Sequence, residues 1–543
     1  MDDKEFPLGN TSDLLDGEMK EVLIGQTKIL LARVGDNFHA VSPTCPHYGA
    51  PLIEGTLCGA RVMCPWHHAC FNVTNGDLEE PPALDALMSY DVRVREGRLY
   101  ASLPAEPQDR RTPSLAKHDP EIDSRRFVII GGGAAGYTAA QTLREDGFRG
   151  RITVITREDR APYDRPNLSK DYLQGQAEPA WMPLRPDEFY KECDIELVCN
   201  KEVTRVDATA KRITFDGGES QTYDALLVAT GGESRKLNIP GADLKNVWVL
   251  RSFADADLII EAASRSTRAV VIGASFIGME TAYSLAERGL QVTVIAPSGE
   301  PFERTLGAEV GALFRRLHES HNVRFKLGSM VYRFEGSCHV QAVVLESGER
   351  IETEMVVAGV GVHPATGFLH GVRLHDDGGV LVDAHLRAAE DLYAAGDIAC
   401  FTDPRTGERT RIEHWRMAQQ QGRVAALNMM GRETPFESVP FFWTRQFDAG
   451  LLYVGHASTW DEIIYQGEVS SGNFLAFYLK NDRVLAVAGM NRNRDMAAME
   501  ELFRLDRMPT PARLKEQATD FAALLGNGDG KEGRDNGIVE RAA

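Results

Sequence analysis

Cysteine is scarce in this chain, with eight among 543 residues, too few for a disulfide scaffold at this length. No Cys-x-x-Cys or Cys-x-x-x-x-Cys occurs, which removes the dithiol exchange that such spacings support. Long apolar runs are missing too. No stretch reaches the roughly 18 apolar residues that a membrane-spanning helix needs. The opening MDDKEFPLGN lacks the basic and apolar blocks of a secretory signal and is too acidic for a transit peptide. A reducing, cytoplasmic location is the expectation. Positive charge is in deficit: 60 Lys and Arg stand against 79 Asp and Glu, a net charge of −19. Nucleic acid is disfavoured as a partner, because a phosphate backbone calls for a basic footprint. A basic docking partner would suit the charge.

What is present reads as three or four ordinary globular domains. Short runs such as Val22-Leu-Ile, Phe38-His-Ala-Val and Arg98-Leu-Tyr-Ala-Ser-Leu, separated by turn residues, predict a small all-β domain over residues 1–104. Residues 105–124 are rich in proline and charge and read as a linker. The texture then changes to strand, glycine turn, helix, strand. Arg126-Phe-Val-Ile-Ile leads into Gly131-Gly-Gly-Ala-Ala-Gly136, and the same order recurs at Arg268-Ala-Val-Val-Ile-Gly-Ala-Ser-Phe-Ile-Gly278. Two such units predict an α/β region with two Rossmann-like domains. One spans 125–242 and 371–436, and the other spans 243–370. Residues 437–525 read as an α+β C-terminal domain, and 526–543 as a disordered tail.

Four cysteines, Cys45, Cys58, Cys64 and Cys70, fall within 26 residues, a clustering that points to metal chemistry. Two of them open paired motifs. Cys45-Pro-His47 and Cys64-Pro-Trp-His67 are separated by 16 residues. A Rieske [2Fe–2S] centre takes two thiolates on one iron and two imidazoles on the other, and each motif supplies one of each. Pro46 and Pro65 stiffen the loops; Gly49 and Gly55 let the backbone turn. A zinc site is the alternative, although zinc fingers pair Cys with Cys and His with His.

Gly131, Gly133 and Gly136 follow an apolar strand and open a helix, the setting in which glycines admit a pyrophosphate to a helix N-terminus. Glu158 lies 22 residues beyond Gly136, where an acid can hold a ribose hydroxyl. The second turn, Gly273, Ser275 and Gly278, departs from the pattern. Ser275 replaces the middle glycine, and Ala296-Pro297-Ser298 stands where the acid is usual. NADH and NADPH both remain open as partners of that turn.

The cluster loops, Cys-Pro-His-Tyr-Gly-Ala-Pro-Leu and Cys-Pro-Trp-His-His-Ala-Cys-Phe, resemble those of Rieske ferredoxins. Respiratory Rieske proteins carry an extra cysteine in each loop; Ala50 and Trp66 occupy those places here, so the resemblance is to the ferredoxin type. His68 stands where many such loops have glycine, and Cys58 and Cys70 are left without a role. From about residue 125 to 520 the chain resembles the pyridine nucleotide–disulfide oxidoreductase superfamily, in particular ferredoxin–NAD(+) reductases of oxygenase systems. With its cluster loops included, it resembles the Rieske-containing apoptosis-inducing-factor-like branch. The resemblance implies FAD, NAD(P)H and a [2Fe–2S] cluster as cofactors. It places Pro162-Tyr-Asp-Arg165-Pro-Asn-Leu-Ser-Lys170 beside the flavin and Ala229-Thr230-Gly231-Gly232 at the domain crossing. It also assigns Gly396-Asp397 to the flavin ribityl and phosphate, and Glu413-His-Trp415 to the flavin ring. Lys170 and Glu280 are implied as a pair near flavin N5. The expected activity is electron transfer from NAD(P)H through FAD to the chain's own cluster and on to an external one-electron acceptor protein, with a homodimer allowed. The alternative is a redox sensor or interaction protein that does not turn over.

Overall fold

The short N-terminal runs become antiparallel sheets in the computed structural model, which describes residues 4–104, 106–516 and 519–526. Beyond Gly526 the expected disordered tail lies outside the described residues. Two units emerge from the internal contacts: one holds residues 1–79, 86–111 and 493–543, the other 80–85 and 112–492.

In the first unit a four-stranded sheet runs Met19–Ile24, Thr27–Val34, Asn37–Val41, Ser89–Tyr90. Strand Arg98–Leu103 pairs with Lys4–Asn10 on one side and Val92–Arg95 on the other. Its alternation is regular, with Leu99, Ala101 and Leu103 turned into the core. The strand ladder Thr56–Cys58, Arg61–Met63 and Cys70–Asn72 carries the two cluster loops at its ends. Helix Asn493–Arg504 belongs to this unit. Its Ala497 packs on Met63 and Cys70, and Arg61 Nε donates to Glu501 at 3.1 Å.

The second unit is built on two parallel sheets. The first runs Ile195–Val198, Arg151–Ile155, Arg126–Ile130, Ala225–Val228, Leu392–Ala394, with Arg387–Ala389 antiparallel at the edge. Phe127, Val128, Ile129 and Ile130 are all buried, as expected of a central parallel strand covered on both faces. Pairing of Leu226–Val228 with Leu392–Ala394 brings the 371–436 segment back to this sheet. There helix Trp415–Met429 lies against helix Ala134–Glu145 so closely that a Cβ on Gly422 would sit 2.2 Å from the Ala135 carbonyl. The second parallel sheet runs Val247–Val249, Met355–Ala358, Arg268–Ile272, Gln291–Ala296, Arg324–Leu327. A third, antiparallel sheet of five strands spans Phe441–Met490.

Two boundaries read from sequence are drawn differently by these contacts. The expected C-terminal block is divided, its sheet in the second unit and its helix 493–504 in the first. The later part of the expected linker is also held in place. Ala116 N donates to Arg144 O at 2.9 Å, Asp119 N to Arg149 O at 2.8 Å, and the His118 ring meets Arg149 O at 2.8 Å. Backbone donors outcompete water here because each is matched to a fixed acceptor. Residues 80–85 group with the second unit as well. Arg416 Nε donates to Pro81 O, Gln420 to Glu80, and Arg185 pairs with Asp85, each at 2.7 Å. No helix among the described residues is long and apolar enough to cross a membrane.

Candidate functional site

The two cluster loops are built alike. Cys45 N donates to Ala50 O and Cys64 N to Ala69 O, each at 2.9 Å, so each loop closes over six residues and presents its Cys and His together. Gly49 makes the first turn with φ 77°. Gly55 serves the approach of the loops to each other, since a Cβ there would lie 2.0 Å from Met63 O. The thiols of Cys45 and Cys64 are neighbours: contact with Cys64, followed by burial, pushes the Cys45 thiol well up. The two imidazoles face each other, with His47 Nδ1 3.1 Å from His67 Nδ1. Burial lowers His47 to about 4, which keeps it neutral, the form that ligates metal. Among the described residues no three His, Cys, Asp or Glu converge as one mononuclear ion would require. A thiol pair and an imidazole pair suit two irons. None of the eight cysteines forms a disulfide, and Ala50 is buried while Trp66 is exposed. His68 has φ 57°, which explains why glycine is usual at that place. Its buried ring is held by Glu500 on helix 493–504, Nδ1 to Oε2 2.7 Å.

In the second unit Gly131 has φ 118°, and a Cβ on Gly136 would lie 1.9 Å from Gly131 O. Gly133 opens helix Ala134–Glu145 without a side-chain cap, and a Cβ there would meet nothing within 4 Å. The turn therefore leaves backbone N–H groups facing free space, which fits a pyrophosphate. Glu158 accepts from Tyr163 Oη and Arg165 Nη2, both at 2.6 Å. Burial alone would raise its pKa; Arg165 and Tyr163 overcome it and hold the carboxyl low. Gly231, Arg251 and Asp397 meet: a Cβ on Gly231 would be 3.0 Å from Arg251 Nη2, which pairs with Asp397 at 2.8 Å. Gly396 N donates to Gln421 Oε1, and Thr230 Oγ1 to Ala365 O. Glu413 is exposed and bonded to Arg411. Trp415 is the first residue of helix Trp415–Met429.

The second glycine turn repeats the geometry with Gly273 at φ 105° and Gly278 tight under Gly273 O. Ser275 has φ −86°, a conformation open to any residue, and its hydroxyl lies 3.3 Å from Gly359 O. Lys170 and Glu280, 110 residues apart, form a 2.8 Å ion pair, and Ser169 Oγ also donates to Glu280. Sequence reasoning named no role for Arg251, Arg411 and Thr444, and quoted Tyr163 and His414 only within longer segments. Arg251 and Thr444 carry no local signal, because their partners are distant in sequence. Burial lowers His414, packed on Phe442, to about 3.

The pyridine nucleotide-disulphide oxidoreductase family matches residues 125–422, more than half of the chain. The chain belongs to this family. The Rieske [2Fe-2S] domain family matches residues 4–91, and the reductase C-terminal family 441–525. Human apoptosis-inducing factor 3 is 38% identical over 514 residues, covering 93% of this chain and 84% of that protein. The ferredoxin–NAD(+) reductase subunit of a benzene 1,2-dioxygenase system from Pseudomonas putida is 31% identical, covering 75% of this chain and all of that one. Putidaredoxin reductase, solved as a covalent complex with putidaredoxin, aligns with a TM-score of 0.70 at 30% identity, covering 74% of this chain and 98% of that one. This pyridine nucleotide–disulphide oxidoreductase is thus an electron-transferring oxidoreductase using NAD(P)H, FAD and a Rieske [2Fe–2S] cluster.

Proposed function

We propose that Cys45, His47, Cys64 and His67 ligate the cluster, and that this cluster takes electrons from the flavin of the same chain and hands them to an external one-electron acceptor protein of the ferredoxin or cytochrome class. FAD when bound accepts a hydride from NAD(P)H and can release electrons one at a time, which the cluster requires. Gly131, Gly133 and Gly136 would hold its pyrophosphate, Glu158 its ribose, and Asp397 with Arg251 its ribityl and phosphate side. Thr230 and Gly231 would shape the crossing, and Arg165 would orient Glu158. Glu413 and Trp415 would border the ring, while Gly273, Ser275 and Gly278 would receive NAD(P)H. Lys170 and Glu280 would orient the reacting edge. The observation that carries the reading is this 2.8 Å ion pair: it ties the helix behind the nicotinamide-type turn to the segment beside the flavin-type turn. The lack of a dithiol motif leaves the cluster as the outlet. We place the protein in the cytoplasm, a reducing compartment that suits a chain with no disulfide among its cysteines, and leave a homodimer to be read by sedimentation.

Full-length C64S tests the route. Truncation would confuse it, because residues 80–85 group with the second unit and the helix 493–504 groups with the first. C64S should reduce its FAD with NAD(P)H at the wild-type rate but lose reduction of an added cytochrome. Undiminished cytochrome reduction would place the exit at the flavin. Reduced wild-type protein should give the rhombic, low-average-g EPR signal of a His-ligated cluster.

A further inference from the structure

Glu280 is held by more than Lys170. Its side chain is 3% exposed. Oε2 receives Lys170 Nζ and Ser169 Oγ, while Oε1 receives Thr444 Oγ1 at 2.7 Å. Thr444 accepts from Gln446 Nε2 at 3.0 Å, and Gln446 Oε1 lies 2.8 Å from His318 Nε2.

The donor directions follow from what each atom can do. An amide nitrogen only donates, so Thr444 Oγ1 accepts from Gln446, and its own single proton goes to Glu280. An amide oxygen only accepts, so His318 Nε2 carries the hydrogen. Burial lowers His318 to about 4, so the ring holds one proton at neutral pH. Its Nδ1, buried with no hydrogen-bond partner, is the bare nitrogen of that tautomer. The chain thus runs one way, from His318 through Gln446 and Thr444 to the carboxylate. Each bond polarises the next in the same sense.

Thr444, Gln446 and His318 are fully buried. Thr444 and Gln446 stand two apart on strand Phe441–Gln446, so they share its inward face, where apolar residues would cost nothing to bury. His318, on helix Ala308–Ser320, is otherwise packed on Phe325 and Phe447.

We propose that Thr444, backed by Gln446 and His318, is a positioning residue. It grips the second oxygen of Glu280 so that the carboxylate keeps its aim when the nicotinamide arrives. This rests on the reading that Lys170 and Glu280 stand at the reacting edge. Ser169 and Lys170 hold one oxygen, and the strand of the antiparallel sheet holds the other, which prevents the carboxylate from rotating about its terminal bond.

The test is stopped-flow reduction of FAD in the full-length holoprotein by saturating NADH or NADPH, whichever serves the wild type. T444V should lower the limiting rate about tenfold, the scale of one lost hydrogen bond to a charged group, with FAD retained and nicotinamide Kd little changed. T444S, which keeps the hydroxyl, should recover most of the rate. The long-wavelength charge-transfer band of the flavin–nicotinamide complex should weaken in T444V and return in T444S. E280Q should also be slow, and T444V should add nothing to it. A slow E280Q with a normal T444V overturns the positioning role alone. Normal rates in both overturn the underlying reading of the ion pair. A T444S as slow as T444V overturns the proposal in favour of packing. If T444V does not retain FAD, Q446L decides: a slowed rate supports the chain, and a wild-type rate overturns it.

Discussion

The turns Gly131–Gly136 and Gly273–Gly278 follow the same backbone course, with one of the three motif glycines exchanged. Gly133 opens its helix at φ −89°, ψ −165°, and Ser275 opens its own at φ −86°, ψ −179°. Neither conformation needs glycine. The outer positions do. Gly131 and Gly273 have φ of 118° and 105°, and a Cβ on them would lie 2.2 Å from Ala229 O and 2.3 Å from Gly359 O. At Gly136 and Gly278 a Cβ would come within 1.9 and 2.1 Å of the turn's own first carbonyl. The backbone demands the first and third glycines, whereas only a ligand can demand the middle one. Ser275 therefore leaves the backbone course of the second turn unstrained. The sites also part company after the second strand. Glu158 is gripped by Tyr163 and Arg165. Beyond Ala296, Glu303 instead turns back to accept from Gly299 N at 2.9 Å.

The sharpest way to break the comparison is at the third glycines. Gly136→Ala should cost about 3 kcal/mol or more through overpacking and yield protein without FAD. Gly278→Ala should retain FAD, seen by absorbance at 450 nm or so, yet lose reduction by NAD(P)H. Equal phenotypes would mean that the two turns are not separate sites. Next is Gly133→Ser, the exchange that the second turn already carries. The backbone tolerates it, so the melting temperature of apoprotein should hold while FAD Kd rises about tenfold or more, roughly 1.4 kcal/mol. Unchanged FAD binding would show that no phosphate comes close there.

A smaller effect is expected at Tyr163→Phe, which removes one donor from Glu158 and should weaken FAD binding by about 1–2 kcal/mol. The pH dependence has a definite sign. The Glu158 pKa is depressed in the folded protein, so its contribution is present above the ordinary glutamate value and is lost as pH falls through the depressed one. With Tyr163 gone the folded value rises, and fluorescence-detected FAD release on acidification should begin at a higher pH than in wild type. An identical release curve would leave the arginines, Arg165 first and then Arg157, as the support of that carboxylate. Smallest of all, Ser275→Gly should alter NAD(P)H Kd by less than about 1 kcal/mol, the range of a glycine exchange in itself. A large change would mean that the serine hydroxyl holds the nucleotide rather than Gly359 O.

Motifs confined to a few neighbouring residues were legible. Cys45-x-His47 and Cys64-x-x-His67 sit on loops closed by bonds within each loop, and the third glycine of each turn is dictated by the turn's own first carbonyl, within six residues. The return of 371–436 to the first parallel sheet was readable from the apolar strand Leu392-Tyr-Ala, because a central strand announces itself by composition. Less legible were boundaries where a segment's composition says little about its destination. Residues 80–85 continue a strand-rich region yet fold with Arg416, Gln420 and Arg185. Helix 493–504 follows the antiparallel sheet but brings Glu500 to His68.

The sequence by itself determined the α/β and all-β division and the presence of two glycine turns and two Cys/His loops, since each is carried by a short run of neighbouring residues. Tertiary structure alone decided that Cys45 faces Cys64 and His47 faces His67, and that Glu280, beyond the Lys170 implied by the resemblance, gathers Ser169 and Thr444 from two remote segments. It alone gave His68, in its left-handed conformation, a carboxylate 432 residues away. The physical reason is the same throughout. A buried polar group must find a partner, and which partner is within reach depends on how the whole chain packs, with no trace in the residues beside it.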